Sequence, residues 1–510
     1  MQRVQRYWTV WYPPQPGESI DMKTVTGPTD RVVVIGAGLA GLSCALRLAG
    51  AGREVTLLER DGIPGGRAGR ITDSGYTFDN GPTVLTMPSL VDEALGAVGE
   101  SLNDWLDLMP LNPAYRTYFP DGSQLDVYSD TDRMAEEIAL ECGPAEAAAY
   151  RDYVGYLRRL YEVEFGDFID RNIDHPWNLI TPNLFRLVGM GGFLRLDRKV
   201  RQYLTDPRTV RALSFQAMYA GVSPLKAMAL YGVISYMDSV AGVSVPRGGM
   251  HEIPVAMAGA ATKHGVDIRY DTEVAAIEHS GGRASAVITT EGDRIAADVV
   301  VVNADLPVAY RDLLGVDKWS LRRLKYSPSA FVMLAGAKAE YPAIAHHNIH
   351  FGRSWRGTFE EIIDRGEVMS DPSFMVTCLS KDDPSLAPPG RHAYYILFPT
   401  PNTDAGIDWQ TETPRYREHV LDTMERAGYR GFADSIEVEH ITTPLEWQQR
   451  GMAAGAPFAA AHTFMQTGPF RAGNLWGENV VFTGSNTQPG VGVPMVLVSG
   501  RLAAERIVSR

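Results

Sequence analysis

Residues 31–67, RVVVIGAGLAGLSCALRLAGAGREVTLLERDGIPGGR, constrain this chain more than any other stretch. Arg31 opens a run of Val32, Val33, Val34 and Ile35. Short, β-branched and apolar, it has the composition of a strand buried on both faces. Gly36, Gly38 and Gly41 follow at G-x-G-x-x-G spacing. The first glycine permits a tight turn, the second lets backbone approach a pyrophosphate, and the third lets helix and strand pack closely. Leu39 to Leu48 reads as a helix stopped by Gly50 and Gly52. Its N-terminus offers unpaired N–H groups and a positive dipole end to phosphates, which adds Leu39 and Ala40 to the candidate contacts. A second strand, Glu54 to Leu58, ends at Glu59 and Arg60. Glu59 lies about twenty residues past Gly36, where a carboxylate can accept hydrogen bonds from ribose hydroxyls. Strand, glycines, helix, strand and acid in this order predict a bound dinucleotide. Glu59 disfavours a 2′-phosphate, and NADP with it.

Gly65-Gly66-Arg67 come next, and then Phe78-Asp79-Asn80-Gly81-Pro82-Thr83. With these residues the sequence resembles the FAD-dependent amine oxidase and phytoene desaturase superfamily. The resemblance implies FAD as cofactor. It implies that Gly66 and Arg67 run along the diphosphate and ribityl chain, and that Gly81, Pro82 and Thr83 lie near the flavin. Physically, Arg67 brings a fixed fork of donors for phosphate oxygens.

Composition narrows the alternatives. With 510 residues the chain can hold roughly three domain-sized units. A net charge of −13 and a pI near 5.4 argue against a nucleic-acid partner. Cys44, Cys142 and Cys378 have no metal-ligand or CxxC spacing, as expected in a reducing compartment without disulfides. His346, His347 and His350 lie close together, yet no carboxylate or cysteine is spaced to complete a metal site, so none is expected. No apolar run reaches the ~18 residues of a membrane span. Residues 1–29 are rich in Pro and Gly and read as a disordered leader.

The rest of the chain divides by pattern. Asp121-Gly122 between Thr117–Phe119 and Gln124–Val127 marks a hairpin outside the parallel sheet, and residues 84–110 read as amphipathic helices. From Thr131 to about Ser239 the pattern is helical. Within it, Arg186 to Arg211 mixes basic and apolar residues in an acidic chain, a combination suited to a membrane interface. Met228 to Val245 is apolar enough to wall a long apolar ligand. Pro246-Arg247-Gly248-Gly249 resembles the turn with which the superfamily returns to its FAD domain, and Val274 the segment whose backbone contacts adenine. Val299 to Val302 returns to buried-strand character.

A second anchor lies at the C-terminal end. The strand before Gly484 is followed by Ser485-Asn486-Thr487-Gln488-Pro489-Gly490-Val491-Gly492-Val493-Pro494-Met495 and a helix to Ile507. The turn puts backbone N–H groups at a helix N-terminus, suited to the electron-rich edge of a flavin ring. Gly484, Ser485, Val491, Pro494 and Met495 are therefore further cofactor candidates. This ending, with Ala345-His346-His347, Asp383-Pro384-Ser385-Leu386-Ala387-Pro388 and Ser214-Phe215-Gln216, resembles the carotenoid desaturase branch. Many superfamily members carry an acid just after the glycine matching Gly484; Ser485 and Asn486 stand there in this chain.

The expected fold is α/β. A Rossmann-like, discontinuous FAD-binding domain (30–110, 242–308 and 470–510) is joined to a mixed α+β substrate domain (111–241 and 309–469) with a helical, membrane-facing part. The resemblance implies desaturation of a C40 hydrocarbon. An allylic hydride passes to the flavin, the neighbouring carbon loses a proton, and a quinone or oxygen reoxidises the cofactor. It implies a peripheral protein on the cytoplasmic side of a membrane. Asp174 and His175, adjacent in the substrate region, are the candidates for proton handling. The competing readings are a flavin amine oxidase and a non-enzymatic prenyl-binding protein of the GDP-dissociation-inhibitor type.

Overall fold

The two valine-rich runs, Arg31–Ile35 and Val299–Val302, pair in parallel at the centre of a six-stranded sheet. In this computed structural model, which describes residues 22–509, the strand order is Asp267–Arg269, Glu54–Leu58, Arg31–Ile35, Val299–Val302, Val480–Phe482 and Leu475–Trp476. The first five strands are parallel, and the last is an antiparallel edge. All six come from 30–110, 242–308 and 470–510. Alternation explains the continuous apolar runs. Val32, Val34, Val299 and Val301 enter one core, whereas Val33, Ile35, Val300 and Val302 enter another on the opposite face. Helices Leu39–Gly50 and Val493–Val508 pack together on the first side, with Gly500 against the Ala40 carbonyl. A three-stranded meander, Val274–Ser280, Arg283–Thr289 and Arg294–Ala296, covers the second.

The second large layer is a seven-stranded sheet. Its order is Ile436–Thr442, Ser329–Ala337, His392–Thr400, Phe374–Cys378, His347–His350, Tyr115–Tyr118 and Gln124–Val127. One face packs Phe331, Met333 and Phe398 against Tyr416, Val420 and Met424 of helix Trp409–Arg426. The other face carries Val332, Tyr395 and Leu397 toward the cavity described below. Helices Thr131–Cys142 and Pro144–Glu164 and several short ones complete this half. Among the described residues no helix is long and apolar enough to cross a membrane.

The structure corrects several sequence expectations. Residues 84–110 hold helices Ser89–Gly96 and Leu102–Trp105, but also strands Leu85–Thr86 and Leu108–Pro110, both paired with Val243–Pro246. Of the leader, residues 1–21 lie outside the described residues, whereas 22–29 are anchored. The Val25 side chain is buried, and its N–H donates to the Arg506 carbonyl at 3.0 Å. The Arg186–Arg211 stretch is three short helices rather than one face, and its charge is partly used internally. Arg208 pairs with Asp206 at 2.7 Å, and Arg211 donates to the Gly352 carbonyl. The clustered histidines bind separate partners: His346 bonds Asp382, His347 bonds Thr377 and His350 bonds Tyr429. No group of metal-ligating side chains occurs among the described residues.

Candidate functional site

A cavity of about 1020 Å³ lies where the parallel strands end. Ligands in open α/β sheets bind at the carboxyl ends of the strands. This volume stands at the top of the ~300–1,000 Å³ range usual for one small molecule. Its lining changes character along its length.

The polar arm is built from the strand ends. Gly36, with φ +99°, turns the chain after Ile35, and its N–H donates to the Leu58 carbonyl at 2.8 Å. Gly38, Leu39, Ala40, Glu59 and Arg60 line this arm with it. Glu59 is buried. One of its oxygens accepts from the Ala37 N–H at 2.6 Å and the other from the Asp61 N–H at 3.0 Å. Burial raises its pKa, and those two N–H donors oppose the rise. Gly41 is the exception among the predicted cofactor contacts. It lies outside the lining and faces the Gly36 carbonyl, where a Cβ would collide. Its role is to seat the helix on the strand.

Gly65 donates to the Ala37 carbonyl at 2.9 Å, which lays the Gly65–Arg67 turn beside the first glycine loop. Gly66, Arg67, Gly81, Pro82, Thr83 and Val274 all line the cavity. Arg67 is held between the Asp305 carboxylate, at 2.6 Å, and the Ser485 hydroxyl. Asp79 ties this region to the Pro246–Met250 turn. Its carboxylate accepts from the N–H groups of Met250 and His251 at 2.8 and 3.0 Å, and burial pushes it up to about 6 against those donors. Gly484, Ser485, Val491, Pro494 and Met495 bound the cavity at the N-terminus of helix Val493–Val508.

The second arm is apolar. Phe168, Leu187, Met228, Leu230, Ile234 and Met237 line it from the helical part, and Val332, Met375 and Leu397 from the seven-stranded sheet. It opens to the surface at Phe193, Phe464 and Phe470, which both line the cavity and are exposed. Trp177, Ile180, Phe185 and Val188 are exposed on the segments that lead to this mouth, Phe185 to 69 %. The turn Pro176–Leu179 packs against Gly468–Phe470 there.

Asp174 and His175 are not part of this cavity. Asp174 is claimed by Arg506, at 2.8 Å, and by the Lys23 N–H; His175 stacks on Trp177. Arg171 lines the cavity, and among the carboxyl and imidazole groups Glu164, Asp238 and His462 line it with these apolar side chains. Sequence reasoning missed all three, because no spacing links them. Asp238 accepts from the Tyr115 hydroxyl, and burial brings it to about 7, so it can hold or release a proton near neutral pH. His462 is driven well below the usual histidine range by burial and then by Arg471, which keeps it neutral.

Glu164 sits where helix Pro144–Glu164 passes into a π-helical turn, Phe165–Ile169, an irregularity common at functional sites. It is 3 % exposed, and its Oε1 has no hydrogen-bond partner among the described residues. Burial alone lifts its pKa well above the usual range. The folded chain therefore holds a proton that the unfolded chain releases near pH 4.5, so stability falls as pH rises above that point. Glu164→Gln cannot ionise. The variant is expected to melt above the parent at pH 8, with the difference gone at pH 4, in parallel thermal unfolding curves.

Residues 39–508 match the family described as flavin containing amine oxidoreductase. The chain belongs to this family. Over 491 residues it is 50% identical to a phytoene dehydrogenase of Streptomyces griseus, spanning 95% of this chain and 96% of the relative. It is 36% identical over 487 residues to a zeta-carotene-forming phytoene desaturase of Myxococcus xanthus, spanning 94% of each. An oxidoreductase from Methanosarcina mazei, 17% identical, shares the fold with a TM-score of 0.61 over 92% of this chain and 99% of that one. This flavoprotein is thus an FAD-dependent oxidoreductase of the carotenoid desaturase branch.

The residues present fit FAD. Glu59 would meet the ribose end, and the glycines leave open backbone that could take the diphosphate. At the other end the N–H groups of Ser485, Asn486 and Gln488 have no protein acceptor among the described residues. Ser485 and Asn486, in place of the superfamily's acid, are both buried polar groups. Asn486 accepts from the Ala460 N–H at 3.0 Å, and its Nδ2 has no partner among the described residues. These groups would hold the flavin ring at this end, where the polar lining gives way to the apolar arm.

Proposed function

We propose that this flavoprotein desaturates a C40 carotenoid precursor, taking phytoene towards neurosporene or lycopene. The observation that carries the reading is the apolar arm, which runs from the flavin end of the site to an exposed aromatic mouth. The names of the two relatives support the same substrate class. FAD, when bound, supplies the acceptor for an allylic hydride. The chain supplies position and shelter. Leu230, Ile234 and Met237 grip a hydrocarbon and exclude water, Glu164 stays uncharged beside it, and Asp238 is placed to exchange a proton. A quinone or oxygen serves as the final oxidant.

A substrate insoluble in water has to be collected from a bilayer. We therefore place the mouth against the cytoplasmic face of a membrane, as a peripheral contact. Trp177, Ile180, Phe185 and Phe464 would enter the acyl boundary, with exposed Arg186, Arg195 and Arg198 near anionic headgroups. Expression in a phytoene-producing host is expected to yield a coloured, longer polyene. Peroxide release from polyamines, with phytoene untouched, would reverse the assignment. In liposome flotation, the Trp177→Ser, Phe185→Ser, Phe464→Ser triple variant is expected to stay with the soluble fraction. Flotation equal to the parent's would remove the mouth as the membrane contact.

A further inference from the structure

Among the described residues, three arginines are almost fully buried: Arg471 at 5 %, Arg501 at 5 % and Arg506 at 1 %. Two of them have carboxylates. Arg501 pairs with Glu93 and Asp170, and Arg506 pairs with Asp174. Arg471 has none among the described residues; every acceptor it meets is a backbone carbonyl. Nε donates to Thr487 at 3.0 Å, Nη2 to Ser485 at 2.5 Å, and Nη1 to Gln466 at 3.2 Å and Ala460 at 3.4 Å. The titratable groups beside it are Tyr231 and His462, both neutral near pH 7. Burial lowers its own pKa only to about 10, so the guanidinium keeps its charge. An isolated buried charge is expensive and is ordinarily matched by an opposite one.

The position of Arg471 indicates where that opposite charge arises. Ser485 and Thr487 belong to the turn that bounds the flavin end of the cavity. The C=O and N–H of a trans peptide point in opposite directions. By drawing the Ser485 and Thr487 carbonyls toward itself, Arg471 turns the Asn486 and Gln488 N–H groups the other way. Those N–H groups are among the ones with no protein acceptor. A hydride brings two electrons and one proton to the flavin ring, which then carries one negative charge. The substrate, left with one positive charge, sheds a proton from the neighbouring carbon.

We propose that Arg471 is a positioning residue and fixed counter-charge for FAD: it sets the Ser485–Gln488 turn and stabilises the negative charge of the reduced ring. The inference rests on the FAD reading of the site. Fixed cations aimed at developing charge in a water-excluded site are among the stronger electrostatic devices available to an enzyme.

The test uses purified, flavin-loaded full-length protein. Arg471→Gln is expected to lower the midpoint potential of the bound flavin by about 30 mV or more, a tenfold change in the reduced-to-oxidised ratio for a two-electron couple. Arg471→Lys, which keeps the charge, is expected to stay within a third of that shift. Equal shifts in both variants, or no shift in Arg471→Gln, overturn the proposal. The parent protein gives a variant-independent check should Arg471→Gln not load. Its reduced flavin is expected to keep the anionic spectrum at a pH where free reduced FAD is already protonated; protonation like that of free cofactor overturns the proposal equally. A parent protein that purifies without flavin would instead refute the FAD reading itself.

Discussion

Gly41→Val is expected to purify as a folded but colourless protein, with FAD affinity reduced at least a hundredfold, or about 2.7 kcal/mol. Gly41 faces the carbonyl oxygen of Gly36, and its nearest side chain is Asn303. A valine there leaves two ways out, and neither preserves the site. The Gly36–Gly38 loop can shift, which moves the backbone proposed to meet the diphosphate. Alternatively, helix Leu39–Gly50 can back away from the strand, which withdraws its N-terminal N–H groups. The second route is obstructed, because helix Val493–Val508 already presses Gly500 against the Ala40 carbonyl and the Ser43 side chain. The damage is therefore directed at the loop, while the ladder between strands Arg31–Ile35 and Glu54–Leu58 can stay paired. Flavin content from the visible spectrum, with circular dichroism as the fold control, measures the effect. Gly96→Ala serves as the matched control, since a Cβ at Gly96 meets nothing within 4 Å. Stoichiometric flavin in Gly41→Val would show that this glycine does not govern the loop.

The same contact explains why so much of the cofactor half was legible. Strand, turn, helix, strand and Glu59 are consecutive, and each step has a local cause: β-branching, a positive φ at Gly36, helix-forming Ala and Leu. Two further parallel strands, Val299–Val302 and Val480–Phe482, come from distant segments, yet they carry the same apolar signature and are followed by Asn303 and by Thr483-Gly484 at the cavity. What could not be read lacks a local cause. Strands Leu85–Thr86 and Leu108–Pro110 are two and three residues long. Their partner, Val243–Pro246, lies more than a hundred residues on, and no periodicity can develop in so short an element. Glu164, Asp238 and His462 converge on one cavity from three separate segments, and a buried carboxyl leaves no trace in a sequence pattern. Asp174 failed as a candidate for the complementary reason. Its neighbour in sequence suggested chemistry, but its partner in space is Arg506, near the far end of the chain. Residues 22–29, the last of the leader, escape the sequence for the same reason, since Pro and Gly content says nothing about a single valine, Val25, buried beside the helix Val493–Val508.

The apolar arm makes the second strong demand on the chain, and Ile234→Glu is expected to expose it. Ile234 lies in helix Gly232–Ser239 and faces the cavity with Met237 and Leu230. Its region makes no contribution to the diphosphate side, so the variant is expected to bind FAD as the parent does. Turnover of a hydrocarbon substrate is expected to fall a hundredfold or more. A carboxylate in a water-poor wall costs several kcal/mol unless it is paired or protonated, and each 1.36 kcal/mol is a factor of ten in rate. Glu164 shows what this environment does to a carboxyl, lifting its pKa well above the usual range by burial alone. The introduced glutamate is expected to follow it. Activity should therefore recover partly as pH falls and the carboxyl takes up its proton, against a parent whose activity shows no such gain. Ile234→Leu, which conserves volume and polarity, is expected to remain within a few-fold of the parent. The measurement is polyene formation from substrate-loaded vesicles, read from the visible spectrum and normalised to bound flavin. Parent-like turnover by Ile234→Glu across the pH range would place the hydrocarbon elsewhere. The cavity between the two sheets would then belong to the cofactor alone.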